Sequence, residues 1–144
     1  MKSPRLLVFA ISLLVFPTVA LAASSWPAGS GTEINSSSVS EPSGAVVLDD
    51  TLWIVDDGGY LWSMELDGSS KTSYYLGGDL EGITTEGGYL YIGIENPDGV
   101  MEVDPSTGTA TGESWDLTTY MTGSDNMGLE ALTYAEGYFY AGLQ

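Results

Sequence analysis

The sequence contains no cysteine and no histidine, and among its 144 residues only Lys2, Arg5 and Lys71 are basic. The first absence excludes disulfides and thiolate metal sites. The second excludes a Ser-His-Asp triad and histidine-ligated zinc. Three cations stand against 20 Asp and Glu residues, for a formal net charge of −17 at pH 7. Such a chain repels nucleic acid and anionic membrane surfaces, and it attracts cations. The same charge also confers solubility in a salty exterior, where screening removes most of the self-repulsion.

Long hydrophobic runs are missing as well, apart from one at the start of the chain. Lys2 and Arg5 form a basic segment, residues 6–16 are apolar, and Ala20-Leu21-Ala22 is a small-x-small cleavage site before Ala23. Residues 1–22 therefore read as a signal peptide, and the apolar part is short for a membrane span. The expectation is a secreted or periplasmic protein with no membrane insertion after signal cleavage. Cleavage leaves Lys71 as the lone basic residue.

What is present in abundance is repetition. Residues 80–95 align without a gap to residues 129–144, sharing Leu80/Leu129, Glu81/Glu130, Thr84/Thr133, Gly88/Gly137, Tyr89/Tyr138, Tyr91/Tyr140 and Gly93/Gly142. A weaker copy at residues 42–57 keeps Gly44, Leu52 and Ile54 where the second copy has Gly82, Leu90 and Ile92. The copies are spaced by 38 and then 49 residues. Repeats of about 40 to 45 residues that must stack to bury their apolar faces are typical of propeller blades.

The runs between turn residues fit that unit. Residues 45–48, 52–55, 60–66 and 74–76 read as four strands of one blade, punctuated by Asp49-Asp50, Asp57-Gly58-Gly59 and Asp67-Gly68. Residues 83–85, 89–94, 100–103 and 109–115 repeat the order, with turns at Glu86-Gly87-Gly88, Asn96-Pro97-Asp98-Gly99 and residues 104–108. The second strand of each unit lacks polar alternation, so both its faces are expected to be covered. A two-sheet sandwich would also give short strands, but it does not account for the gapless repeat. The expected architecture is all-β, a β-propeller of four-stranded antiparallel blades, truncated to about two and a half blades. Residues 23–40 form a Ser/Gly-rich lead-in, with room for one strand. Residues 41–78 and 79–118 are the blades, and residues 128–144 are a half-blade whose remaining two strands lie beyond this sequence.

Hairpin geometry places candidate functional residues. The start of a blade's first strand and the end of its second lie at the same end of the sheet. Glu81 should approach Glu95, Ser43 should approach Asp56 or Asp57, and Glu130 should approach Gln144. Blades set their first strand against the axis, so these pairs gather at one channel mouth. Clustered carboxylates must recruit a cation, bind protons or stay solvated. Calcium suits such a mouth, because it accepts six to eight oxygen ligands, whereas magnesium demands a tighter octahedron. The candidate metal ligands are Glu81, Glu95 and Glu130, with Asp57 a lesser one. Alternatively, Glu81 and Glu130 accept hydrogen bonds from a neighbouring blade's backbone. Tyr89, Tyr91, Tyr138 and Tyr140, two residues apart on strands, read as blade packing rather than a sugar platform.

Several motifs carry a resemblance: Glu41-Pro42-Ser43-Gly44-Ala45, Leu52-Trp53-Ile54-Val55-Asp56-Asp57, Asp79-Leu80-Glu81-Gly82-Ile83, Val103-Asp104-Pro105-Ser106-Thr107-Gly108 and Gly128-Leu129-Glu130-Ala131-Leu132-Thr133. Over residues 41–144 the chain resembles exported six-bladed propellers of the SdiA-regulated and esterase-like-phytase type. The resemblance implies acidic residues from successive blades near a central channel, with calcium there in some members, and the matching positions are Glu81 and Glu130. The first repeat departs from the pattern with Ser43. The functional expectation is an exported acidic module that binds a divalent cation and a small molecule or envelope component. The alternative is the N-terminal part of a metal-dependent hydrolase, a phytase-like phosphoesterase or a lactonase. A phosphoesterase would need several metal ions to hold its substrate, since basic side chains are so few.

Overall fold

The computed structural model describes Ile34, residues 39–122 and residues 127–143. The expected signal peptide at 1–22, most of the expected lead-in, residues 123–126 of the loop before the third repeat, and Gln144 lie outside the described residues. Ten strands and no helix occur among those described.

The first sheet joins β1 (Pro42–Leu48), β2 (Thr51–Asp56), β3 (Tyr60–Glu65) and β4 (Thr72–Tyr75) in sequence order. The second joins β5 (Asp79–Glu86), β6 (Tyr89–Glu95), β7 (Gly99–Asp104) and β8 (Thr109–Asp116) in the same way. The third pairs β9 (Leu129–Ala135) with β10 (Tyr138–Leu143). Every pairing is antiparallel. The first strands of successive sheets lie side by side, β1 against β5 and β5 against β9. This is the arrangement of propeller blades around an axis, two of them four-stranded and the third represented by its first two strands.

The strands follow the sequence reading with local differences. β1 and β5 begin earlier than expected, at Pro42 and Asp79, because a register shift lets pairing continue past Ser43 and Glu81. β3 ends at Glu65 rather than Leu66, where the turn closes through the Gly68 amide on the Glu65 carbonyl at 2.9 Å. β4 ends at Tyr75 rather than Leu76, whose amide instead bonds the Gly59 carbonyl at 2.9 Å.

Burial comes from stacking one sheet on the next. Trp53, Val55 and Leu61 of the first sheet pack with Leu80, Ile83, Leu90, Ile92 and Val103 of the second in one core. A smaller core unites Tyr91 and Val100 with Leu129 and Leu132. Each fully buried Leu, Val or Ile contributes about 1.5–3 kcal/mol, so these two interfaces dominate the stabilisation. The inner strands approach closely. A Cβ on Gly82 would lie 2.7 Å from the Leu132 backbone nitrogen, so only glycine fits between β5 and β9.

The tyrosines divide against expectation. Tyr91 is buried, packed on Phe139 at 4.5 Å and Trp115 at 5.9 Å between ring centroids, and its hydroxyl donates to Glu102 Oε2 at 2.8 Å. Burial first, and then that bond to Glu102, push the Tyr91 pKa up to about 12. Tyr89, Tyr138 and Tyr140 are exposed. Tyr89 and Tyr138 begin strands beside hairpin turns, and Tyr140 lies on an outer strand with no further strand on it among the described residues, so none of the three is enclosed as Tyr91 is.

Candidate functional site

The same irregularity occurs at the start of all three sheets. Pro42 pairs with Asp56 and Gly44 with Val55, leaving Ser43 as an extra residue. Leu80 pairs with Ile94 and Gly82 with Gly93, leaving Glu81. Leu129 pairs with Leu143 and Ala131 with Gly142, leaving Glu130. A β-bulge releases one residue from the ladder and re-aims its side chain, a device common beside functional sites. The repeat therefore encodes a bulge, and in two of its three copies the bulged residue is glutamate.

The three bulges meet at one end of the sheets around a cavity of about 440 Å³. Its lining comprises the carboxylates of Glu41, Asp57, Asp79, Glu81, Glu95 and Glu130, with Pro42 and Ser43. No basic side chain is among them. One carboxylate oxygen from each of Glu81, Glu95 and Glu130 lies within 4.8 Å of the other two, and Asp57, Asp79 and Glu81 form a second such group. All four sequence-derived candidates are thus brought to one place, with Glu81 shared between the groups. The expected approach of Ser43 to Asp57 is also present, as a hydrogen bond from Ser43 Oγ to Asp57 Oδ1. Gln144, expected beside Glu130, lies outside the described residues.

Crowding changes the protonation of the group. Burial, followed by the charges of Glu130, Asp57, Asp79 and Glu95, pushes the Glu81 carboxyl from an ordinary 4.5 to about 7. Burial and then the charges of Asp57 and Glu95 raise Asp79, against a smaller lowering by a side-chain hydrogen bond with Glu81. Glu130 is raised by burial and then by Glu95, Asp79 and Asp57. Asp79 sits directly opposite Glu95 across the β5–β6 ladder, an arrangement of like charges that opposes pairing. Its Oδ1 is buried and accepts no hydrogen bond. An oxygen in that condition is costly unless something positive meets it.

Not every acid here faces the cavity for the same reason. Glu95 is only 2% exposed, and its Oε1 accepts the Gly128 amide at 2.6 Å. Asp98 Oδ1 accepts the Leu129 amide at 2.7 Å. Gly128 is required where it stands, because a Cβ would strike the side chains of Glu95 and Asp98. Among the described residues, the neighbouring-blade backbone is met by Glu95 and Asp98 rather than by Glu81 and Glu130. Asp56, at 2% exposure, is turned away from the mouth, accepting Tyr60 N at 3.0 Å and Trp62 Nε1 at 2.8 Å.

Sequence reasoning missed Asp79, Glu41 and Asp98. Asp79 was within reach of it, since counting the hairpin back from Glu86-Gly87-Gly88-Tyr89 with one bulged residue places it opposite Glu95. Glu41 carried no such signal, because it precedes the paired strand.

No family model matches the chain, and no curated protein matches it. Among solved structures, it is similar to the glutaminyl cyclase of Myxococcus xanthus, with a TM-score of 0.60 and 21% sequence identity over 73% of this chain. The match spans 51% of the length of that enzyme. At this identity the likeness is one of fold.

Proposed function

We propose that the acidic mouth is a calcium site and that the protein is an exported propeller serving as a binding or envelope-associated module, of the SdiA-regulated and esterase-like-phytase type. The observation that carries this reading is the convergence of Glu81, Glu95 and Glu130 within 4.8 Å, beside an Asp79 oxygen buried without a partner. Ionised carboxylates at that spacing repel, and a divalent cation turns the repulsion into attraction. The donor set fits calcium: oxygen only, from several carboxylates, in a cavity open enough for water to complete six to eight ligands. Glu81, Glu130 and the second oxygen of Glu95 would hold the ion, with Asp79 and Asp57 completing or charge-balancing the site.

The test is a calcium titration of the protein by calorimetry, with Glu81→Gln and Glu130→Gln alongside. Both substitutions keep the shape while removing one negative charge each. Each should weaken calcium binding by at least about tenfold, as expected when a charged ligand of a hard cation is lost. Parent-like affinity in both variants would remove the site from the mouth.

A second reading is favoured by Glu81 itself. A carboxyl titrating near neutrality is suited to general acid–base catalysis. Cyclisation of a glutaminyl residue and hydrolysis of an ester or lactone both need such a proton carrier. On this reading the chain is part of a propeller enzyme, either a cyclase or a metal-dependent hydrolase. Turnover of a glutaminyl peptide, a lactone or a phosphomonoester that Glu81→Gln abolishes would establish it, and the absence of turnover on all three would leave the binding module.

A further inference from the structure

A bulge frees Glu130 from the ladder, so the pairing of β9 with β10 does not by itself fix where its carboxylate stands. The second sheet holds the backbone there instead. The Gly128 amide donates to Glu95 Oε1 at 2.6 Å and the Leu129 amide to Asp98 Oδ1 at 2.7 Å, both immediately before Glu130. Farther along β9, the Tyr134 amide donates to Thr84 Oγ1 at 3.1 Å. The Leu129 side chain strengthens the same anchor. It is fully buried and fills the space beside Gly93 of β6, where a Cβ would fall 2.3 Å from Leu129 Cδ2.

The carboxylate at position 98 is not a requirement of the blade itself. The Asp98 carbonyl accepts the Leu117 amide at 2.9 Å, and one sheet earlier the Gly59 carbonyl accepts the Leu76 amide at 2.9 Å. Gly59 is thus the counterpart of Asp98, and it has no side chain. A Cβ on Gly59 would fall 2.8 Å from the Gly78 carbonyl oxygen, so the backbones meet directly at the first interface. At the second interface an acid stands in the gap. Asp98 does not line the mouth, and it belongs to neither group of converging carboxylates.

We propose that Asp98 is a positioning residue of the mouth: through the Leu129 amide it sets where the Glu130 carboxylate stands, without itself touching the ion. The inference rests on the calcium reading given above. An ion shared by Glu81 and Glu95 of the second sheet and Glu130 of the third is held well only when the third sheet delivers its ligand at the right distance. Groups that orient metal ligands in this way are worth about tenfold to a hundredfold in affinity.

The test measures calcium affinity of the full chain by calorimetry and, in chelator, hydrogen exchange of the Leu129 amide. Asp98→Asn keeps an acceptor in place and removes the charge. Asp98→Glu keeps the charge, but its added methylene has no room, since a Cβ on Gly128 would already fall 2.2 Å from Asp98 Oδ1. The Asn variant should keep Leu129 protected and bind calcium within about threefold of the parent, the lost charge being screened. The Glu variant should lose that protection and bind about tenfold more weakly. If it does not fold, Asp98→Ala, which removes the acceptor without adding bulk, is read in its place. Weaker binding by the Asn variant than by the Glu variant would mean that Asp98 acts by charge, and overturns the proposal. In a Glu130→Gln background, Asp98→Glu should cost less than about threefold, because the two residues act as one unit. A full tenfold loss there overturns it too. A parent that binds no calcium, or binds it regardless of Glu130→Gln, removes the calcium reading and this inference with it. Binding that Glu130→Gln weakens and Asp98→Glu leaves unchanged overturns this inference alone.

Discussion

Replacing Glu81 with glutamine should stabilise the protein at pH 8 and leave its stability unchanged near pH 4, provided divalent cations are removed. The Glu81 carboxyl is held at about 7 against an ordinary 4.5. A carboxyl whose pKa rises on folding favours the folded state while it is protonated. That contribution is complete below about pH 4.5 and is lost as pH rises through about 7. At about 1.4 kcal/mol per pH unit, the upper limit is about 3 kcal/mol. The mouth opens to water, and screening there reduces the expected figure to about 1–2 kcal/mol. For a domain of this size each kcal/mol moves Tm by about 4–8 °C. Thermal unfolding of parent and variant in chelator, followed from pH 4 to pH 8, measures the difference. Taking that difference cancels the titration of carboxylates far from Glu81. The variant should have the higher Tm at pH 8 and the gap should close towards pH 4. A gap that is constant with pH, or in which the parent is the more stable at pH 8, would refute the reasoning. With calcium at the mouth as proposed, saturating calcium should reverse the order, because the parent would bind the ion more tightly than the variant and gain more from it.

Asp56→Ala removes both acceptors of the Tyr60 amide and Trp62 Nε1, and denaturant unfolding should register a loss of about 2–3 kcal/mol from these unsatisfied donors. Gly82→Ala drives a methyl group to within 2.7 Å of the Leu132 backbone nitrogen; it should destabilise by about 1–3 kcal/mol through overpacking and lower calcium affinity by shifting the adjacent Glu81. Sodium chloride should raise Tm, because 20 acidic residues against three basic ones repel one another and screening relieves that cost; a flat response would mean that the charges are spaced widely enough not to interact.

The propeller architecture was legible in the sequence because it depends on local signals repeated in order. Turn residues such as Asp57-Gly58-Gly59 and Glu86-Gly87-Gly88 mark each reversal. The apolar runs of β2 and β6 announce burial on both faces, and the recurrence of Leu-Glu at 80–81 and 129–130 gives the unit. Because a hairpin returns its ends to the same place, the approach of Glu81 to Glu95 and of Ser43 to Asp57 also followed from the sequence. Tertiary structure decided the rest. The bulges at Ser43, Glu81 and Glu130 are pairing irregularities, visible only once both partner strands have a register. Whether an acid bonds the next sheet's backbone, as Glu95 and Asp98 do, or is left to the cavity, as Glu81 is, depends on the position of Gly128 and Leu129, some thirty residues away in sequence. The tyrosines make the same point. Tyr91 and Tyr140 are equivalent in the repeat, yet only Tyr91 is buried, because burial belongs to the neighbour that a face meets and not to the residue that presents it.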